Sequence, residues 1–158
     1  MNVAGGGIKI TIFNTQGDID MTAYLPGSDA MKGYSYKSQR TVAIIEDERD
    51  IVDIYSRICA LKGFRIAFIA YDGADALELF RKAVCPDVIL IDHRMPNMTG
   101  LEAMKKMLDI DPGARFVFLS ADEEVREQAL RAGARAFLKK PAGISEIYGV
   151  MMKVLDGL

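Results

Sequence analysis

Five polar residues follow short apolar runs in this chain: Glu46 and Asp47 after Thr41–Ile45, Asp92 after 88–91, Ser120 after 115–119, and Lys140 just beyond 136–138. A carboxylate where a buried strand leaves the core is costly unless cations or donors meet it. Asp92 is in that position, because Pro96 lacks an amide donor and biases Met95 towards extended geometry, which stops 93–98 from continuing as strand or helix. Three carboxylates in one crevice would repel and raise each other's pKa unless a cation sat among them. An all-oxygen ligand set of this kind suits Mg2+, or Mn2+ in its place. A divalent ion there would screen Asp92 from an incoming phosphoryl group and let the carboxylate act as nucleophile. Ser120 could then hydrogen-bond one phosphoryl oxygen and Lys140 could pair with another.

That chemistry requires the apolar runs to end on one edge. Thr41–Ile45, Arg65–Ala70, 88–91, 115–119 and 136–138 read as short strands buried on both faces. Helical segments alternate with them. The first carries Ile51, Ile54, Tyr55, Ile58 and Leu61 and ends at Gly63; the second is capped by Asp72 and carries Leu77, Phe80 and Val84. The third carries Leu101, Met104 and Leu108 and stops near Ile110, before the turn Asp111-Pro112-Gly113. The fourth, 123–132, pairs Glu127 with Arg131, and the last buries Ile144, Ile147, Tyr148, Met151 and Leu155. Five strands alternating with five helices specify an α/β fold, a doubly wound five-stranded parallel sheet. All strand C-termini then share one edge, and an order 2-1-3-4-5, counted from the strand at Thr41, makes the first and third strands neighbours where the winding reverses.

Residues 1–39 differ. Ile8–Phe13 alternates apolar and polar residues, Ile19–Leu25 does so more loosely, and Asn14 to Asp18 is turn-like, so an N-terminal β-hairpin is expected, with 5–7 and 26–38 as linker. The domain boundaries read as an extension over 1–39 and a main domain over 40–158. An isolated hairpin is marginal in water, so it should lean on the main domain or on a second copy, making a homodimer. Across 158 residues, 20 Lys plus Arg against 22 Asp plus Glu argue against nucleic-acid binding by bulk charge. No apolar stretch approaches a membrane span and no signal peptide opens the chain, which points to a cytoplasmic protein with no membrane partner. Cys59 and Cys85 lack metal-ligand spacing and read as reduced core residues. His93, the lone histidine, is expected to face solvent rather than to share in chemistry.

Glu46-Asp47, Ile91-Asp92-x-x-Met95-Pro96 with Gly100, Ser120-Ala121 and Phe137-x-x-Lys140-Pro141 together resemble the receiver domain of two-component response regulators, over about residues 40–158. The resemblance implies the flavodoxin-like winding and a role in a phosphorelay. Asp92 would accept phosphate from a phosphohistidine on a histidine kinase or histidine phosphotransfer protein. Asp47 would bind Mg2+ directly, Glu46 mainly through water, and the backbone carbonyl of Arg94 would complete the protein ligands. Ser120 and Phe137 would be the switch pair, acting on a protein-binding surface for a downstream target, and a cis Lys140–Pro141 bond would aim the lysine at the site. Small Ala121 would leave the phosphate room. Arg94 and Asp122 occupy the places that tune dephosphorylation in the family and could pair over the site. Glu46 stands where Asp is frequent, and Phe137 lacks the hydroxyl of the commoner Tyr.

The resemblance makes the chain a phosphoacceptor rather than an enzyme, able at most to catalyse its own phosphorylation and dephosphorylation. With no DNA-binding or enzymatic segment read up to Leu158, a stand-alone receiver with no attached effector domain is expected. A stripe of Val150, Val154 and Leu158 is a candidate output contact. Three other functions fit these residues less well. An aspartyl-nucleophile phosphohydrolase commonly has a second Asp two residues after the first, where this chain has Arg94. A flavin-binding protein would need a phosphate loop where Glu46-Asp47-Glu48 repels phosphate. A phosphorylation-independent adaptor would leave the filled acceptor positions without a purpose.

Overall fold

The computed structural model describes residues 8–13, 19–25 and 39–157. The chain divides into two compact units, 1–38 and 39–158. In the first, strands β1 (Ile8–Phe13) and β2 (Ile19–Leu25) pair antiparallel, from Ile8 opposite Leu25 to Ile12 opposite Met21, with an irregularity before Phe13. The expected turn at 14–18, the linkers at 5–7 and 26–38, and Leu158 lie outside the described residues.

The second unit is a five-stranded parallel sheet of β3 (Thr41–Ile45), β4 (Arg65–Ala70), β5 (Val88–Asp92), β6 (Phe116–Ser120) and β7 (Ala136–Lys139), in the order β4-β3-β5-β6-β7. This is the expected 2-1-3-4-5 winding. Every residue of β5 and β6 is buried, the consequence of helices on both faces. Alternate strand residues feed two cores. Val42, Ile44, Val88, Leu90, Val117 and Leu119 meet α1 (Arg49–Leu61) and α5 (Ile144–Asp156). Ala43, Ile45, Ile89, Ile91, Phe116 and Phe118 meet α2 (Gly73–Lys82), α3 (Gly100–Ile110) and α4 (Arg126–Ala132).

Local signals set the helix ends. Asp72 caps α2 by accepting from the amides of Ala74 and Asp75, and Thr99 with Glu102 forms a reciprocal capping box on α3. Gly63, at φ +82°, follows α1, and Gly133, at φ +118°, ends α4. The segment 123–132 begins as a 3-10 turn over Glu123–Val125 before α4, and the Glu127–Arg131 pair forms at 3.1 Å.

Several helix faces differ from expectation. The buried side of α1 is Val52, Tyr55, Ile58 and Cys59, while Ile54 and Leu61 are exposed. On α2 the burial runs through Ala76, Leu77 and Phe80; the helix stops at Lys82, and Val84 and Cys85, past its end, are exposed. Cys85 is therefore not a core residue, whereas Cys59 is. On α5 the buried residues are Ile147, Met151 and Val154, and Ile144 is exposed. Val154 thus belongs to the core rather than to an open output stripe.

Candidate functional site

The apolar strands β3, β5 and β6 deliver Glu46, Asp92 and Ser120 to the same sheet edge, and all three are buried. Glu46 and Asp92 share the strand parity of Ile44 and Leu90, the side of the sheet covered by α1 and α5. Asp47 follows at the lip, and one carboxylate oxygen from each of Glu46, Asp47 and Asp92 lies within 4.8 Å of the others. Lys140, one residue past β7, closes the group: its Nζ is 2.5 Å from Glu46 Oε2 and 2.5 Å from Asp92 Oδ1. Its backbone amide donates to the Ser120 carbonyl at 2.9 Å, and the Lys140–Pro141 peptide is cis.

The electrostatics follow from this crowding. Burial, reinforced by the neighbouring charge of Asp92, pushes the Glu46 carboxyl up to about 7, against the opposing pull of Lys140. Lys140 is itself held above the usual lysine value: its hydrogen bonds and charge attraction to Asp92 and Glu46 outweigh its desolvation. Three carboxylates around one ammonium leave formal negative charge, and an all-oxygen donor set with that excess fits a hard divalent cation.

Two backbone features hold Asp92 in place. The His93 amide donates to the Leu119 carbonyl at 3.1 Å, and the Gly100 amide donates to the His93 carbonyl at 2.9 Å. A Cβ on residue 100 would lie 1.9 Å from the Asp92 carbonyl oxygen, so only glycine lets α3 start this close to the strand end.

A family model described as the response regulator receiver domain matches residues 42–151. The chain belongs to the response regulator receiver family. The chemotaxis protein CheY of Thermotoga maritima is 31% identical over 117 residues, spanning 73% of this chain and 97% of that protein. CheY of Treponema pallidum is 30% identical over 135 residues, 83% of this chain and 90% of that protein. The solved complex of CheX and CheY with BeF3 and Mg2+ from Borrelia burgdorferi contains a chain that matches with a TM-score of 0.69 at 27% identity, covering 73% of this chain and 88% of that one.

The other residues singled out from the sequence stand as follows. Ser120 has the opposite parity to Asp92, and its Oγ accepts from the Asp122 amide at 3.0 Å, which leaves its own proton free to donate. Phe137 stacks on Phe118 with ring centroids 6.1 Å apart, and the Arg126 guanidinium lies 5.7 Å from its ring centre. Arg94 and Asp122 do pair, at 3.4 Å. Ala121 is exposed at the rim.

His93 departs from expectation. It is half-buried, with its ring 5.7 Å from that of Phe118 and its Nδ1 enclosed. The strand end turns it inward beneath α3 rather than out to solvent. From sequence alone Tyr55 is a core residue of the first helix. It lines, with Ile51, Ile54, Ala121, Lys140, Pro141 and Ala142, a concavity of about 410 Å3 beside the acidic cluster. The helical periodicity marked Tyr55 as buried, but it carried no signal that this turn of α1 adjoins the carboxylates. Among the described residues no helix is long and apolar enough to cross a membrane.

Proposed function

We propose that this receiver accepts a phosphoryl group onto Asp92 from the phosphohistidine of a histidine kinase or histidine phosphotransfer protein. The observation that carries the reading is the convergence of three carboxylates within 4.8 Å, with Lys140 2.5 Å from Asp92. Glu46, Asp47, Asp92 and the backbone carbonyl of Arg94 would hold Mg2+, or Mn2+. When bound, the ion would offset the charge of these carboxylates and of the incoming phosphoryl group.

An Asp92 carboxylate oxygen forms the new bond to phosphorus as the bond from phosphorus to the donor's ring nitrogen breaks. Lys140 pairs with one phosphoryl oxygen and the Ser120 hydroxyl donates to another. Ser120 then draws on the β6 end while Phe137, stacked on Phe118, follows, altering the surface around α4, β7 and α5 for a protein target. The solved complex of the Borrelia burgdorferi relative with CheX supports a protein as the downstream partner. The exposed Ile54 and the apolar concavity next to Lys140 suit the approach of an apolar helical surface carrying the phosphohistidine.

Phosphoramidate with Mg2+, followed by borohydride reduction and peptide mapping, tests the acceptor. Reduction to homoserine at position 92 alone supports the reading; modification at another acid, or none, overturns it.

A further inference from the structure

Beside the acidic cluster, the concavity of about 410 Å3 is apolar along Ile51, Ile54, Ala121, Pro141 and Ala142. Its polar side chains are Lys140, whose ammonium is committed to Glu46 and Asp92 at 2.5 Å from each, and Tyr55. The Tyr55 ring is buried in the core that α1 shares with α5. Its hydroxyl has no hydrogen-bond partner among the described residues, and it is not sealed in as the Ser56 hydroxyl and His93 Nδ1 are. A buried tyrosine ordinarily gives its hydroxyl a partner, so a phenol anchored by its ring and open at its oxygen is placed to meet one from outside. Burial, aided by the charges of Glu46 and Asp92 against that of Lys140, holds its pKa above the usual tyrosine value and keeps it protonated.

We propose that this concavity is the leaving-group subsite of phosphoryl transfer, and that the Tyr55 oxygen accepts a hydrogen bond from the ring N–H of the donor's imidazole. The inference rests on the reading that Asp92 is phosphorylated from a phosphohistidine. Lys140 belongs both to the acidic cluster and to the wall of the concavity, so a ring bonded to a phosphorus at Asp92 lies against a side chain that opens onto the apolar space. An aromatic ring with one N–H suits apolar walls that carry one free oxygen. As the bond from Asp92 oxygen to phosphorus forms, the phosphorus–nitrogen bond breaks and its electron pair stays on that ring nitrogen. The other ring nitrogen keeps its proton, and the ring departs as neutral imidazole. No proton moves to or from Tyr55, which is a positioning residue.

Monophosphoimidazole and acetyl phosphate differ in whether the group leaving phosphorus is an imidazole. Initial rates with Mg2+, followed by intact mass of the full chain, are compared for wild type and Tyr55→Phe, which removes the hydroxyl and keeps the ring. The rate constant with monophosphoimidazole falls about 5- to 10-fold in Tyr55→Phe, the size of one hydrogen bond, while that with acetyl phosphate stays within about twofold and shows the variant to be folded. A phosphoimidazole methylated on its other ring nitrogen has no N–H to give and reacts equally with both proteins. Equal loss with monophosphoimidazole and acetyl phosphate makes Tyr55 merely structural, and no loss with monophosphoimidazole removes the hydrogen bond; either result overturns the proposal. A wild-type chain that takes phosphate from neither donor overturns the reading of Asp92 and the proposal with it.

Discussion

Lys140 is the residue on which the described site depends most, because its ammonium lies between two buried carboxylates. Its side chain is 16% exposed, against 2% for Glu46 and 7% for Asp92, so removing it strands charge where water cannot solvate it. Lys140→Met should therefore destabilise the metal-free protein by about 3 to 5 kcal/mol. Urea unfolding in chelator and in saturating Mg2+ checks this: the deficit should shrink with Mg2+, and an equal deficit in both would contradict the charge account. The Arg94–Asp122 pair, 3.4 Å long and with Arg94 75% exposed, lies on residues two past Asp92 and Ser120. Replacing both with Ala should shorten the half-life of the phosphorylated protein by admitting water. An unchanged half-life would remove that role. At this scale the acidic residues, Ser120 and Lys140 were legible in the sequence, because each is a polar residue placed where an apolar strand ends. The inward packing of His93 on Phe118 was not, since it depends on which side of β6 lies opposite the loop.

The elements hold these residues by their ends, and α3 shows how. Its capping box has Glu102 accepting from the Thr99 amide at 2.8 Å and from its hydroxyl at 2.9 Å. Those bonds hold the Glu102 carboxyl below its ordinary value of 4.5. A folded-state pKa below the unfolded one means that the cap's contribution is fully present above the unfolded value and is lost as pH falls through the folded one. The stability difference between wild type and Glu102→Gln should accordingly be constant near neutrality and shrink as pH falls below about 4.5. Urea melts at pH 7 and in the acid range measure it, and a difference that grows on acidification would contradict the cap. Thr99→Ala should cost about 1 kcal/mol at neutral pH. Strand positions were legible because burial on both faces leaves uninterrupted apolar runs, and the Asp72 cap and Gly63 stop were legible because their chemistry is local. Helix faces were less so. On α1, apolar residues occupy two adjacent stripes, and periodicity does not say whether Val52 and Cys59 or Ile54 and Leu61 meet the sheet.

In the receiver unit, the parallel sheet is what brings three separated stretches of sequence, carrying Glu46 with Asp47, Asp92 and Lys140, into one pocket: Glu46 and Lys140 are 94 residues apart in the chain and 2.5 Å apart in space. The alternation of strands and helices specifies a parallel sheet, and the family resemblance implies the winding order that makes β3 and β5 neighbours and unites Glu46, Asp47 and Asp92. The groove beside Tyr55 could not be anticipated, because its walls come from α1, the end of β6 and the turn after β7, which only the assembled fold brings together. The central claim is that this pocket makes Asp92 a phosphoryl acceptor, and intact mass after incubation with acetyl phosphate and Mg2+ tests it most directly. The account predicts one added phosphate on the native chain, none when Mg2+ is chelated, and none on Asp92→Asn. An unmodified native chain, or an adduct that persists in Asp92→Asn, would contradict it.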